Sequence, residues 1–163
     1  MKYITTILLT LSIAVGQGLS KEEKAIQSYV EMHTNEAINL LEKVVNINSG
    51  TLNIKGNKKV GKIFQMELDK LGFKTYWVTY PNDVKRSGHL FAEMRGGTGK
   101  KIVMVGHLDT VFEPDHPFQT YTRTDDTAYG PGVSDMKGGD ISMIYAMTAL
   151  KTVGVLKDLN LTL

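Results

Sequence analysis

The stretch VMVGHLDTV, Val103 to Val111, decides how this sequence is interpreted. Val103, Met104 and Val105 predict a buried β-strand, and Gly106 closes it. His107 and Asp109 follow two positions apart, so an extended chain turns both side chains to the same side. A neutral imidazole is a common metal ligand, and a nearby carboxylate can fix its tautomer through the second ring nitrogen. A structural histidine that closes the strand through a hydrogen bond is the alternative.

The segments around this stretch alternate between helical and extended patterns. Helices are predicted over Glu22–Val45 (broken near His33, where Thr34 can cap a second helix), from Asn57 to a stop at Gly72, and over Gly138–Leu150. Strands are predicted over Phe73–Tyr80, His89–Met94, Lys101–Val105 and Asp158–Leu163. Asn46–Gly56 is predicted to be a loop, and residues 112–134 show no strong periodicity. This alternation predicts an α/β fold.

Composition limits the function classes that the chain can serve. The 163 residues suit one domain with a sizeable core. The formal net charge of +2 gives no strong attraction to nucleic acid or to an anionic membrane, so no nucleic-acid partner is expected. The sequence has no cysteine, which excludes disulfides and thiolate metal sites. Any metal must therefore be bound by His, Asp or Glu.

The N-terminus has the pattern of a secretory signal peptide. Lys2 supplies a positive charge, Tyr3 to Val15 is mostly apolar, and small residues follow between Gly16 and Ser20. The apolar run is shorter than the roughly 20 residues that a membrane-spanning helix needs. We therefore predict a signal peptide over residues 1–20 and a secreted or periplasmic mature chain over residues 21–163, without a stable membrane anchor. An uncleaved anchor is the alternative.

A second stretch, AYGPGVSDMKGGD from Ala128 to Asp140, adds a further carboxylate. Its Gly-Pro-Gly run predicts a tight loop, and Asp135 stands just before the helix predicted from Gly138. Asp135 could simply cap that helix. If it instead meets His107 at one edge of the sheet, the pair offers nitrogen and oxygen donors to a divalent metal, and a bridging carboxylate can serve two ions.

Taken together, GHLDTV and YGPGVSDMKGGD resemble the two N-terminal signatures of the zinc-dependent aminoacylase and carboxypeptidase family. This family includes acetylornithine deacetylase, succinyl-diaminopimelate desuccinylase and bacterial glutamate carboxypeptidase. NINSGT, Asn46 to Thr51, resembles the loop after the family's first helix, and the resemblance extends from about Ala37 to Leu163. It implies an α/β fold with a mixed sheet flanked by helices, the N-terminal part of a di-zinc exopeptidase catalytic domain.

Carried over to this sequence, the resemblance makes His107 a metal ligand and Asp135 the carboxylate that bridges two Zn²⁺ ions. Asp109 becomes the catalytic carboxylate that orients His107, and the peptide bond between Asp135 and Met136 is expected to be cis. The implied function is hydrolysis of an amide bond by metal-activated water. The expected substrate is a small peptide or an N-acyl amino acid, with release of a C-terminal glutamate-like residue.

The family pattern continues after the last predicted strand. It includes a Glu-Glu pair that supplies the general base and a ligand, two later metal ligands, and a lid domain that commonly dimerises; the 163 residues contain no match to these. The resemblance therefore implies an N-terminal portion that is inactive by itself and dimerises only through the absent domain. The alternative is an inactive truncated product that keeps the partial fold without catalysis.

Other residues that could suggest a site are interpreted structurally. GGTGKK, residues 96–101, has the glycines of a nucleotide-binding loop, but it leads into a strand and has no Ser or Thr after Lys100. His116 lies in an acidic turn between prolines, and His33 and His89 have no carboxylate partner in sequence. Trp77 is predicted to lie in the core.

Overall fold

The computed structural model describes residues 18–81 and 84–163. The predicted signal peptide, residues 1–20, lies almost entirely outside these two ranges and stays a prediction. Among the helices within them, none combines the length and the apolar composition that crossing a bilayer requires.

The first helix, α1 (Lys21–Val45), is continuous, so the predicted break near His33 is wrong. Ser20 caps its N-terminus, as short hydroxyl residues commonly do. Thr34 does not start a second helix because its hydroxyl donates to the Val30 carbonyl one turn earlier. That local bond satisfies the side chain inside the helix, which removes the reason for a break.

The second helix, α2 (Ile54–Leu71), begins three residues earlier than predicted. Its N-cap is Asn53, whose side chain accepts the backbone N–H of Gly56. It ends where expected, because Gly72 takes the left-handed conformation with φ 94°. Its apolar residues recur at helical spacing: Val60, Phe64, Leu68 and Leu71 are buried, and Ile63 is half-buried.

The described residues form six strands: β1 (Lys74–Val78), β2 (His89–Arg95), β3 (Lys101–Val103), β4 (Thr122–Thr124), β5 (Thr127–Tyr129) and β6 (Asn160–Thr162). Four of these described strands make one sheet in the order β1-β2-β6-β3. The pairs β1–β2 and β2–β6 are antiparallel, and β3–β6 is parallel. This confirms the α/β fold with a mixed sheet, and the predicted positions of these four strands are correct apart from their ends.

The prediction of a buried strand over Lys101–Val105 is wrong in two respects. The strand β3 ends at Val103, and the side chains of Val103 and Val105 are 68% and 79% exposed. Met104, between them, points the other way and packs against the core. Within the described sheet β3 is an outer strand. All three residues of β3, including Ile102, are exposed.

The region without periodicity, residues 112–134, contains a hairpin that the sequence analysis missed. Strands β4 and β5 pair antiparallel across a turn at Asp125 and Asp126. Asp125 has φ 40°, a left-handed conformation that Asp tolerates better than most residues. The strands have three residues each, too short for an alternating pattern to be visible.

The third helix, α3 (Gly138–Thr152), packs against α1 and α2, and α2 packs on β1 and β2. Trp77 lies against α2 with Lys58 Nζ 3.8 Å from its ring centroid, and it is half-buried. The prediction of a core position for Trp77 is therefore only partly right. The central core cluster joins the helices to the sheet and consists of Val44, Val60, Phe64, Leu68, Leu71, Phe73, Ala92, Ile141, Ile144, Met147, Leu156 and Leu161.

Candidate active site

The loop that follows β3 carries His107 and Asp109 and is held by main-chain hydrogen bonds. The N–H of Thr110 donates to the Ser49 carbonyl at 2.8 Å, and the N–H of Thr51 donates to the Thr110 carbonyl at 3.0 Å. The residues next to Asp109 are therefore tied to the loop between α1 and α2. Main-chain bonds of this kind give the loop a defined position without regular secondary structure.

Asp135 lies in an irregular turn, Val133–Lys137, that precedes α3. Its φ of −129° and ψ of 95° are not helical, and no side chain caps the start of α3. The interpretation of Asp135 as a helix cap is therefore wrong. The peptide bond between Asp135 and Met136 is cis, as the resemblance implied. Gly132 opens the turn with φ 82°, a conformation that favours glycine.

The imidazole ring of His107 lies between the two other predicted site residues. Its Nε2 is 2.8 Å from Asp135 Oδ1. Its Nδ1 is 3.0 Å from the backbone oxygen of Asp109 and 3.3 Å from Asp109 Oδ1. The fold thus brings together all three residues that the sequence singled out. Asp109 faces the ring nitrogen on the side away from Asp135.

This arrangement changes the acidity of the ring. Burial by itself would lower the pKa of His107, but the hydrogen bonds to Asp135 and to the Asp109 backbone, and the charges of both carboxylates, outweigh it. The net effect raises the pKa of His107. The carboxylates on its two sides therefore stabilise a positively charged ring, which bridges the loop after β3 to the turn before α3.

The three side chains open to solvent at the boundary of two cavities. The side chain of Asp135 is 85% exposed, whereas those of His107 and Asp109 are 42% and 36% exposed. The cavities have volumes of about 550 Å³ and about 420 Å³, and His107, Asp109 and Thr51 line both. Phe64 and Met143 make the larger cavity partly apolar. A small molecule could therefore reach His107 from either side.

Lys137 is a functional candidate that the sequence analysis did not single out. Its side chain is fully buried. Its Nζ donates to the carbonyls of Val44 at 2.9 Å and Ile47 at 3.1 Å, at the C-terminal end of α1. Burial lowers the pKa of Lys137 to about 8, while the charge of Asp140 acts in the opposite direction.

Asp140 is a second buried charged residue close to the site. It is 7% exposed, and its Oδ2 has no hydrogen-bond partner among the described residues. Burial raises the pKa of Asp140 to about 7, against the attraction of His107 and Lys137. Its Oδ1 occupies the space beside Gly106, where an ideal Cβ would lie 2.1 Å from it. A side chain on the residue before His107 would therefore displace the Asp140 carboxylate.

Helical spacing was the signal that could have identified Lys137 and Asp140. Ile141 and Ile144 are apolar residues on the buried side of α3, and Lys137 precedes them by four and seven positions. Asp140 precedes Ile144 by four. Residues at these spacings share one face of a helix. Two charged residues on an apolar face are unusual enough to mark a candidate site.

The donors around His107 fit part of a metal site. Imidazole nitrogen and carboxylate oxygen are the donors that zinc accepts in the absence of cysteine. His107 Nε2 and Asp135 Oδ1 are close enough to bind one ion together, whereas Asp109 faces the opposite ring nitrogen. Across residues 18–81 and 84–163, no three His, Asp or Glu side chains are grouped so that they could bind one metal ion. The pair accounts for two ligands of such a site.

The remaining histidines bond to other groups. His33 Nδ1 is 2.8 Å from the Tyr29 carbonyl, and His89 Nε2 is 2.6 Å from the Tyr80 hydroxyl. His116 Nδ1 accepts the N–H of Phe118. These contacts agree with the structural roles predicted for all three histidines.

The sequence is similar to a peptidase family and to known enzymes. Residues 103–163 match the model of peptidase family M20/M25/M40. The chain is 30% identical over 155 residues to carboxypeptidase G2 from Pseudomonas sp. (strain RS-16), which covers 93% of this chain and 37% of that protein. It is 37% identical over 76 residues to a probable succinyl-diaminopimelate desuccinylase from Staphylococcus epidermidis, which covers 43% of this chain and 18% of that protein.

The fold has relatives among solved structures. Human carnosine dipeptidase 1 superposes with a TM-score of 0.69 at 20% identity, over 85% of this chain and 33% of that chain. The 163 residues thus span about a third of the length of these longer proteins. The match over residues 103–163 contains His107, Asp109 and Asp135. The chain is therefore similar to peptidase family M20/M25/M40 over residues 103–163 and to carboxypeptidase G2 over most of its length.

Proposed function

We propose that this chain forms part of a metal-dependent peptidase or amidohydrolase that cleaves an amide bond. The observation that carries the proposal is the His107 ring held between two carboxylates, with Nε2 2.8 Å from Asp135 Oδ1 and Nδ1 beside Asp109. One nitrogen faces a potential co-ligand, and the other is oriented by a carboxylate. Histidine ligands of metals commonly have such an orienting partner.

In this proposal His107 and Asp135 would hold zinc, Asp135 would be shared between two ions, and Asp109 would be the catalytic carboxylate behind His107. Zinc, when bound, would supply Lewis-acid activation of water and of the substrate carbonyl. Asp109 fixes the ring orientation and keeps Nε2 directed at Asp135. Asp135 is the most exposed of the three side chains, which leaves it accessible from the smaller cavity.

The proposed substrate is a small peptide or an N-acyl amino acid that ends in a glutamate-like residue. The peptidase family match supports the peptide bond as the target. The likeness to carboxypeptidase G2 supports release of the C-terminal residue. The choice of a glutamate-like side chain rests on the resemblance around the Gly-Pro-Gly loop. The proposed location is secreted or periplasmic, and the proposed dimer contact lies outside the 163 residues.

Zinc titration by calorimetry tests the proposed ligands. His107→Ala and Asp135→Asn should each lower zinc affinity by about tenfold or more, because each removes one donor. His116→Ala is the matched control, since it removes a histidine that bonds only within its own turn. Equal zinc affinity in all four proteins would contradict the ligand assignment.

An activity assay tests the reaction. We expect the 163-residue chain to be inactive on acyl-glutamate and dipeptide substrates, because hydrolysis needs a general base that the three site residues do not provide. A chain extended to the length of its relatives should be active with zinc and lose activity with chelator. Asp109→Asn in the extended chain should lower kcat with little change in zinc content. Chelator-resistant hydrolysis by the extended chain would contradict the metal-dependent mechanism.

A further inference from the structure

The charged side chain of Lys137 is buried next to the C-terminal end of α1. The side chain has no exposed surface, and transferring an ammonium group out of water is costly unless it is well paired. Its hydrogen-bond acceptors are two backbone carbonyls, those of Val44 and Ile47. Carbonyls at a helix C-terminus lack partners within the helix and attract a positive charge. The ammonium group therefore makes a specific contact with the end of α1.

This contact connects the two halves of the candidate site. Lys137 is the last residue of the turn that carries Asp135, and its side chain reaches the segment that follows α1. The same segment continues to Ser49, whose carbonyl accepts the N–H of Thr110. Thr110 follows Asp109 directly. Hydrogen bonds and short runs of backbone thus lead from Asp135 to Asp109.

Packing around Gly132 also places Lys137 close to Thr110. An ideal Cβ on Gly132 would lie 3.0 Å from both Lys137 Cδ and Thr110 Cγ2. The aliphatic stem of Lys137 and the Thr110 methyl group therefore approach the same glycine from two directions. Gly132 opens the turn that carries Asp135. The turn is held at its start by this close approach and at its end by the ammonium group.

We propose that Lys137 is a positioning residue that fixes Asp135 relative to His107, by anchoring the Val133–Lys137 turn to the C-terminal end of α1. The inference rests on the proposed function, because the separation of the two side chains matters if they share a ligand. The anchoring itself is a property of the metal-free chain. It can therefore be measured without metal and without activity.

The experiment measures backbone amide hydrogen exchange by NMR in the metal-free 163-residue chain and in Lys137→Met. Methionine keeps the length and the apolar stem but cannot donate to the carbonyls. Three hydrogen-bonded amides report on the connection: Thr51, Thr110 and Val133. Their exchange should accelerate by about tenfold or more in Lys137→Met, because local opening becomes easier. Amides of the β1–β2 hairpin should keep their exchange rates.

The matched control is Lys151→Met. Like Lys137, Lys151 donates its Nζ to a backbone carbonyl, that of Lys70 at 2.7 Å. It lies at the C-terminal end of α3, whereas Lys137 directly precedes the N-terminal end. Lys151→Met should leave the three reporter amides unchanged. Lys137→Arg, which keeps the donors, should retain more protection at these amides than Lys137→Met.

Unchanged protection in Lys137→Met, or equal loss in Lys151→Met, would overturn the proposal. If Lys137→Met does not fold, the Arg variant decides: wild-type protection at the three amides supports the anchor, and lost protection overturns it. If neither variant folds, amine labelling of the native wild-type chain decides. Labelling of Lys137 as fast as of Lys151 overturns the anchor, and strong protection supports it.

Zinc titration of the same variants separates this inference from the proposed function. If His107→Ala and Asp135→Asn bind zinc like the wild type, the proposed function fails while the exchange result still decides the anchor. If those two variants lose affinity, Lys137→Met should also lose affinity by about threefold to tenfold, whereas Lys151→Met should not. Wild-type zinc affinity in a folded Lys137→Met would overturn the positioning role alone.

Discussion

Replacing Asp140 by asparagine should stabilise this protein at neutral and alkaline pH. The carboxyl group is 7% exposed, and one of its oxygens has no partner among the described residues. Burial raises its pKa from the ordinary 3.8 to about 7, even though the positive charges of His107 and Lys137 act to lower it. The folded state therefore resists ionisation of Asp140, and asparagine removes the ionisable group at nearly the same size.

The sign and the size of the effect follow from the two pKa values. A carboxyl whose folded pKa lies above its unfolded pKa favours the folded state at low pH, where it is protonated in both states. This contribution is lost as the pH rises from about 4 to about 7, because the unfolded chain ionises first. The shift of about three units corresponds to about 4 kcal/mol at 1.36 kcal/mol per unit. Relaxation of the site makes about 2 to about 4 kcal/mol the expected range.

The assay is urea denaturation of wild type and Asp140→Asn at several pH values between about 4 and about 8. The difference in unfolding free energy should be near zero at the acidic end and should grow in favour of asparagine until about pH 7. Asp126→Asn is the control, because Asp126 is exposed in the turn between β4 and β5. An Asp140→Asn protein that is less stable than the wild type at pH 8 would refute the reasoning. It would mean that the ionised carboxylate makes favourable contacts that outweigh its burial.

Three other predictions concern packing and processing. Gly61→Ala should destabilise the fold by about 1 to 3 kcal/mol in urea, because an ideal Cβ would lie 2.6 Å from the Trp77 ring; greater stability would contradict this packing. Phe64→Ala should cost about 3 to 5 kcal/mol, because the ring is 3% exposed in the central cluster; a loss below about 1 kcal/mol would contradict it. Mature protein from the native host should begin near Leu19 or Lys21 by N-terminal sequencing, and an intact Met1 would exclude a cleaved signal peptide.

Local patterns in the sequence predicted most of the regular elements correctly. The apolar stripe of α2 and its stop at Gly72 depend on helical periodicity and on one left-handed glycine. Both are properties of neighbouring residues, so they are visible before the chain folds. The break predicted in α1 was wrong because a threonine hydroxyl can either cap a new helix or donate to a carbonyl one turn earlier. Thr34 donates to the Val30 carbonyl within one continuous helix.

The candidate site was predicted as residue identities, without its geometry. His107, Asp109 and Asp135 were selected from two short motifs and from their resemblance to a family. His107 Nε2 is 2.8 Å from Asp135 Oδ1, and His107 Nδ1 is 3.3 Å from Asp109 Oδ1. These distances depend on how the loop after β3 packs against the turn before α3. The position of the loop after β3 depends on hydrogen bonds that Thr110 donates to Ser49 and accepts from Thr51, which no local pattern indicates.

The sequence by itself determined the α/β class, the end of α2 at Gly72, the absence of thiolate chemistry and the three residues of the candidate site. Only the tertiary structure decided that Val103 and Val105 face solvent, that Lys137 and Asp140 are buried, and that Lys137 joins the Asp135 turn to α1. The physical reason is that burial and the pKa of a side chain depend on what other elements place around it. The sequence does not show whether the side chain of such a charged residue reaches water or the carbonyls of a distant helix.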